Sequence, residues 1–185
     1  MVKDKHTLRA IREGYLGRAV YKIQEINNRF KIIKDNDKVL DLGCYPGSWV
    51  QYLFRLNCDI YGIDVKEVKG LNFKFIQKDV YDDSIFDDIG NNFDVVISDL
   101  APKLSGIKEL DNERSYSLCY KSFNIAKKVL KPKGNFLVKT FDNPRLKEFI
   151  KKLEKEFDYV KIFKPQVSKK RSSEIYVIAK SKHSL

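Results

Sequence analysis

The chain has 185 residues, enough for one domain with a proper core, and its apolar and aromatic content is that of a globular protein rather than a disordered one. No apolar run approaches the ~18 residues of a membrane helix, and the charged, polar N-terminus lacks the apolar stretch of a secretion signal. The net charge of +11 is better explained by a polyanionic partner than by a merely solvated face.

Residues 1–17 read as a mobile basic arm, with Lys3, Lys5, Arg9 and Arg12 and with Gly14 and Gly17 as breakers, ahead of a single domain over 18–185. The spacing predicts a helix from Arg18 to Phe30, with Val20, Ile23, Ile26, Asn27 and Phe30 on one face and Lys22 beside it. After the turn Asp35-Asn36-Asp37, a short buried strand, Lys38 to Leu42, runs into the turn Gly43-Cys44-Tyr45-Pro46-Gly47. A helix then begins near Ser48, with Trp49, Val50, Leu53 and Phe54 as its apolar stripe. Glycine lets such a turn bend and approach a ligand closely, and the helix start points its unpaired N–H groups at the same place. The motif is not G-x-G-x-x-G, which argues against a pyrophosphate pressed on the helix. The next strand, Asp59 to Ile63, ends at Asp64, 21 residues after Gly43 and close to the ~20 expected of an acid that binds a ribose diol. The pair points to an adenosine-bearing cofactor.

A strand over Asn72 to Gln77 follows, closed by Asp79, and then a short helix over Asp82 to Ile89. The strand Phe93 to Ser98 ends at Asp99-Leu100-Ala101-Pro102, where proline forces an exit. A helix from about Glu113 to Leu130 stops at Lys131-Pro132-Lys133-Gly134, and the strand Asn135 to Thr140 carries Lys139. A helix from Pro144 to Glu156 and strands over Tyr159 to Phe163 and Ile175 to Ala179 complete the pattern. Seven strands separated mostly by helices predict an α/β fold with a mostly parallel sheet and helices on both faces. The last two strands, with no helix between them, are expected to pair antiparallel.

In open sheets of this kind ligands sit beyond the carboxyl ends of the strands, where Asp64, Asp79, Asp99 and Lys139 all fall. Histidine offers no base, since His6 and His183 lie at the chain ends. Cys44, Cys58 and Cys119 have no metal-type spacing and read as incidental thiols of a reducing cytoplasm. The acid-free run Lys161, Lys164, Lys169, Lys170 and Arg171 is a second basic region whose position relative to the arm is open at this point.

Five blocks, in order, resemble the FtsJ/RrmJ (RlmE-type) family of S-adenosylmethionine-dependent RNA 2′-O-ribose methyltransferases. They are Arg18-Ala19-Val20-Tyr21-Lys22-Ile23, Asp41-Leu42-Gly43 with Pro46-Gly47-Ser48-Trp49, Ser98-Asp99-Leu100-Ala101-Pro102, Val138-Lys139, and Ser173-Glu174-Ile175-Tyr176. The resemblance covers about Arg18 to Lys180 and implies a Rossmann-like class I methyltransferase fold. It implies a catalytic tetrad of Lys22, Asp99, Lys139 and Glu174, with Lys139 as proton acceptor. It also implies S-adenosylmethionine held among Gly47, Trp49, Asp64, Asp79 and Asp99, with Asp64 on the ribose hydroxyls and Asp79 on the adenine amino group. No metal is expected. The chain departs from the pattern at Cys44, Tyr45, Ser48 and Asp142. The favoured substrate is a uridine of large-subunit (23S-type) ribosomal RNA, with a tRNA anticodon loop as the alternative. A catalytically weak RNA-binding or ribosome-assembly factor is the rival from another class. A monomeric cytoplasmic protein with RNA as partner, and neither DNA nor membrane, completes the expectation.

Overall fold

A computed structural model describes residues 5–168 and 172–184. Lys3 of the arm, and Lys169, Lys170 and Arg171 of the second basic run, lie outside them. A seven-stranded sheet forms the middle layer, ordered β3-β2-β1-β4-β5-β7-β6. Its strands are β1 (Lys38–Leu42), β2 (Asp59–Asp64), β3 (Lys74–Gln77), β4 (Phe93–Ser98), β5 (Leu130–Phe141), β6 (Phe157–Phe163) and β7 (Glu174–Lys182). The first five pair in parallel, and β7 pairs antiparallel with both β5 and β6. This is the Rossmann-like methyltransferase fold, with the antiparallel last pair that the sequence predicts.

Alternation along the strands divides the core into two apolar layers, as a period of two requires. Leu40, Leu42, Val96, Phe136 and Val138 face one layer, closed by helices α4 (Ile85–Ile89), α5 (Lys108–Val129) and α6 (Leu146–Leu153). Val39, Val95, Ile97, Leu137 and Tyr176 face the other, closed by α1 (Lys5–Arg12), α2 (Val20–Phe30) and α3 (Ser48–Phe54). Residues 5–17, read from sequence as a mobile arm, carry a helix in the structure. Ala10 and Tyr15 are buried in the second layer. The amide of Gln51 fastens the segment, accepting from the Leu16 N–H at 2.8 Å and donating to the Gly14 carbonyl at 3.0 Å.

Several element ends move for local reasons. Helix α5 starts at Lys108, not Glu113, because buried Asp111 accepts from Ser105 N–H, Ser105 hydroxyl and Gly106 N–H at 2.7, 2.8 and 3.2 Å. Helix α4 starts at Ile85, because Asp82 bonds the Ser84 N–H at 2.9 Å in a local turn that competes with helix. The expected stop at residues 131–134 is a bulge: Phe93 pairs with Leu130 and Val95 with Asn135, so the intervening residues are unpaired within β5. Gly134 fits there because a Cβ would sit 2.9 Å from the Lys131 carbonyl oxygen and 3.1 Å from that of Asp94.

Candidate active site

The carboxyl ends of β1, β2 and β4 converge on the turn after β1. Gly43 bends with φ +81°, and a Cβ there would lie 2.8 Å from a Leu100 methyl carbon. Gly47, at the start of α3, has φ +106°, and a Cβ there would meet Leu71 at 2.6 Å. Both positions therefore need glycine, the first for close approach to the β4 exit and the second for close packing of the segment after β2. Trp49 is buried, with its indole N–H donating to the Ala19 carbonyl at 2.9 Å, so it ties α3 to the start of α2.

Asp64 sits beside this turn, its two carboxylate oxygens accepting from Tyr45 N–H at 3.0 Å and Lys66 N–H at 2.9 Å. Asp79 is fixed in the same way by the Tyr81 N–H at 3.0 Å. Asp64 and Asp79 line a cavity of about 240 Å3, together with Val65, Leu100, Ala101 and Pro102. The Tyr45 ring points outward, half exposed, with the Lys66 ammonium 5.0 Å from its centroid. Cys44 is buried, its thiol pushed far up by burial and then by Asp41 and Asp64.

Asp41 stands in a recognised block without a role of its own. It is fully buried in β1, and neither carboxylate oxygen has a hydrogen-bond partner among the described residues. Burial, with Asp99 and Asp64 adding like charge, pushes its carboxyl well above the usual range. An unpartnered carboxyl buried beneath the turn, a glycine cradle and two strand-end carboxylates together fit a cationic adenosine cofactor such as S-adenosylmethionine.

Next to the cradle, the strand register assembles the second half of the site. Ser98 pairs with Val138, which sets Asp99 beside Lys139, and Lys139 lies directly across from Tyr176. The Lys139 ammonium donates to the Asp99 carbonyl at 2.6 Å and forms an ion pair with its carboxylate at 3.1 Å. The same carboxylate oxygen accepts from the Tyr176 hydroxyl at 2.8 Å. Lys22 comes from α2, buried rather than beside the apolar face as expected. It donates to Glu174 at 3.1 Å and stands 5.7 Å from the Tyr176 ring centroid. Burial alone would raise the Glu174 carboxyl, but Lys22, Lys139 and the Lys22 hydrogen bond outweigh it and hold it below the ordinary range.

Lys22, Asp99, Lys139 and Glu174 thus form two charge pairs joined through Tyr176, whose ring also lies 6.1 Å from that of Trp49. Tyr176 stood in a recognised block without a role. The signal for it was its place two residues after Glu174, on the same face of β7.

This sheet order with a cradle at its switch point, and paired lysines and acids beside it, defines a methyltransferase with an S-adenosylmethionine-type cofactor. The match to known proteins is specific: residues 15–182 fit the model of the FtsJ-like methyltransferases, and the chain belongs to that family. It is 41% identical over 188 residues to the ribosomal RNA large subunit methyltransferase E of Desulfatibacillum aliphaticivorans, covering 97% of this chain and 91% of that protein. The Archaeoglobus fulgidus protein of the same description is also 41% identical, with 96% and 95% covered. A crystal structure described as a ribosomal RNA methyltransferase of Plasmodium falciparum superposes with a TM-score of 0.82 at 27% identity. The superposition covers 92% of this chain and all of that one.

Proposed function

We propose that this protein methylates a ribose 2′-hydroxyl in RNA, using S-adenosylmethionine, and that the substrate is a uridine of large-subunit ribosomal RNA. The observation that carries the reaction is the joining of Lys22–Glu174 and Lys139–Asp99 into one partly buried cluster beside the cradle. The large-subunit RNA assignment draws on the relatives' descriptions, and the uridine on the family resemblance alone.

When bound, S-adenosylmethionine supplies a methyl group on sulfonium, open to in-line displacement by an oxygen nucleophile. Asp64 would hold the ribose hydroxyls and Asp79 the adenine amino group, while Gly47 and Trp49 shape the turn after β1. Lys139 accepts the 2′-hydroxyl proton at Nζ. Asp99 fixes that nitrogen through its carbonyl and carboxylate, while Lys22 and Glu174 orient the acceptor ribose. Alignment and proton removal are most of what the protein must supply.

The test uses methyl-labelled cofactor with separate pools of large-subunit RNA, small-subunit RNA and tRNA. Label is expected in large-subunit RNA at a uridine 2′-oxygen. Label confined to tRNA would replace the substrate assignment, and no transfer to any pool would leave an RNA-binding or assembly factor. Lys139→Ala and Lys139→Arg should both abolish single-turnover methylation with cofactor affinity retained, because arginine keeps its proton. Near-normal rates with arginine would mean that the lysine positions charge and does not remove the proton.

A further inference from the structure

Helices α1 and α2 present charge that the chemistry above does not use. Leaving out Lys22, residues 5–34 contain seven lysines and arginines and two glutamates, a net +5 against the chain's +11. Both glutamates are already engaged. Glu13 accepts from Arg9 at 2.7 Å and from the Tyr21 hydroxyl at 2.9 Å, and Glu25 accepts the Gln166 N–H at 2.9 and 3.0 Å. What remains toward solvent is strongly cationic.

Two concavities meet on this face at Arg9. One, of about 480 Å3, runs between Arg9, Tyr21, Glu25, Asn28, Arg29 and Val167. The other, of about 540 Å3, lies along α1 between Lys5, Leu8, Arg9 and Arg12. Glu25, which also lines the first, stands three residues after Lys22 on the same face of α2, so that concavity adjoins the tetrad. Its guanidinium groups are stacked: Arg29 lies 5.0 Å from the Phe163 centroid and Arg9 4.6 Å from that of Tyr21. Stacking fixes the plane and leaves N–H edges for phosphate oxygens. On the same helix Leu8 and Ile11 are 51% and 53% exposed, apolar groups set among cations.

We propose that the α1–α2 face is an RNA-docking surface for the strand that flanks the acceptor nucleotide. Lys5, Arg9, Arg12 and Arg29 hold its phosphates, while Leu8 and Ile11 contact unstacked bases. Single-stranded RNA suits this mixture, because its bases are free to rest on side chains while the backbone follows the charge. The proposal rests on the RNA reading above and names where that RNA lies.

The test compares wild type with a Lys5→Ala/Arg12→Ala/Arg29→Ala variant, keeping Arg9 because it anchors Glu13, and with a Lys147→Ala/Lys151→Ala control on α6. The probe is oligouridylate, its affinity read by fluorescence anisotropy over a salt series. Each lost phosphate contact on a single strand flattens the log–log salt slope by ~0.7, so the triple variant should lose about 2 in slope. It should also bind about tenfold more weakly near ~0.1 M salt, with S-adenosylhomocysteine affinity and melting temperature retained. If Arg29→Ala harms folding, the exposed pair Lys5→Ala/Arg12→Ala should still lose about 1.4 in slope. A wild-type slope in these variants, with the loss appearing in the α6 control, would move the docking surface to α6 and overturn the proposal. Equal RNA binding by all variants, with phosphatidylglycerol vesicles captured only by wild type, would make the face a membrane contact instead. If wild type binds neither oligouridylate nor large-subunit RNA, the RNA reading itself fails.

Discussion

One oxygen of Asp99 accepts from both Tyr176 and Lys139, and the Asp99 carbonyl takes a second bond from the same lysine. Removing the tyrosine hydroxyl alone tests whether that arrangement sets the position of the lysine. Tyr176→Phe keeps the ring under Lys22 and should lower the single-turnover rate about tenfold, the ~1.4 kcal/mol of one lost hydrogen bond to a charged group. Cofactor affinity should not change; an unaltered rate would assign the tyrosine to packing alone. Asp64→Ala belongs to the other half of the site. It should weaken S-adenosylmethionine binding by about tenfold or more, since a carboxylate–hydroxyl contact is lost at ~1.5–3 kcal/mol. Calorimetry that finds wild-type affinity would remove Asp64 from the ribose.

Among the elements, α2 carries the most demanding single position. Buried Asn27 donates to the Ile33 carbonyl and to the Tyr52 hydroxyl, both at 3.0 Å, and accepts the Ile33 N–H at 2.8 Å. It closes the C-terminal end of α2 onto the approach to β1 and onto α3, and so sets how Lys22 meets Glu174. Asn27→Ala leaves several buried groups unpaired and should cost about 2–3 kcal/mol, a fall in melting temperature of roughly 5–10 °C by calorimetry. In sequence Asn27 looks like an interruption of the apolar stripe at Val20, Ile23 and Ile26, because periodicity registers burial and not bonding. The same distinction separates what was legible elsewhere. The strands and the turn after β1 follow from apolar runs and glycines. Lys22, Asp99, Lys139 and Glu174 follow from a family pattern, which says nothing of who bonds to whom. Asp41 gains meaning only from its burial in β1, and Tyr176, marked in sequence by its spacing from Glu174, gains its partners from the register that sets β7 beside β5 and β5 beside β4. Helix starts at Lys108 and Ile85 depend on side-chain bonds from Asp111 and Asp82, which the spacing of apolar residues does not contain.

For the molecule as a whole, a half-buried carboxyl, Glu174, and a fully buried one, Asp41, make stability depend on pH with opposite sign. Glu174 is held below its ordinary range, so its contribution is present above the unfolded-state value and lost as pH falls through the folded one. Asp41 is raised, so folding becomes costlier once pH exceeds the unfolded-state value of ~3.9, where the unfolded chain releases a proton that the folded chain retains. Asp41→Asn should therefore stabilise the cofactor-free protein at neutral pH by about 1–3 kcal/mol, with the gain, read by calorimetry, shrinking toward pH ~4. The same variant should bind S-adenosylmethionine more weakly. A variant no more stable than wild type at neutral pH would mean that Asp41 is satisfied in solution.

The sheet order also imposes a schedule on synthesis. Strand β7 lies between β5 and β6, so the growing chain completes β6 before the strand that attaches it to the sheet exists. The cofactor cradle draws on residues up to Pro102, whereas Glu174 and Tyr176 emerge more than seventy residues later. At ~5–20 residues per second, several seconds separate the two on the ribosome. During that interval the nascent chain has the parts to bind cofactor and none of the β7 groups that hold Asp99 and Lys22, so capacity to bind precedes capacity to react.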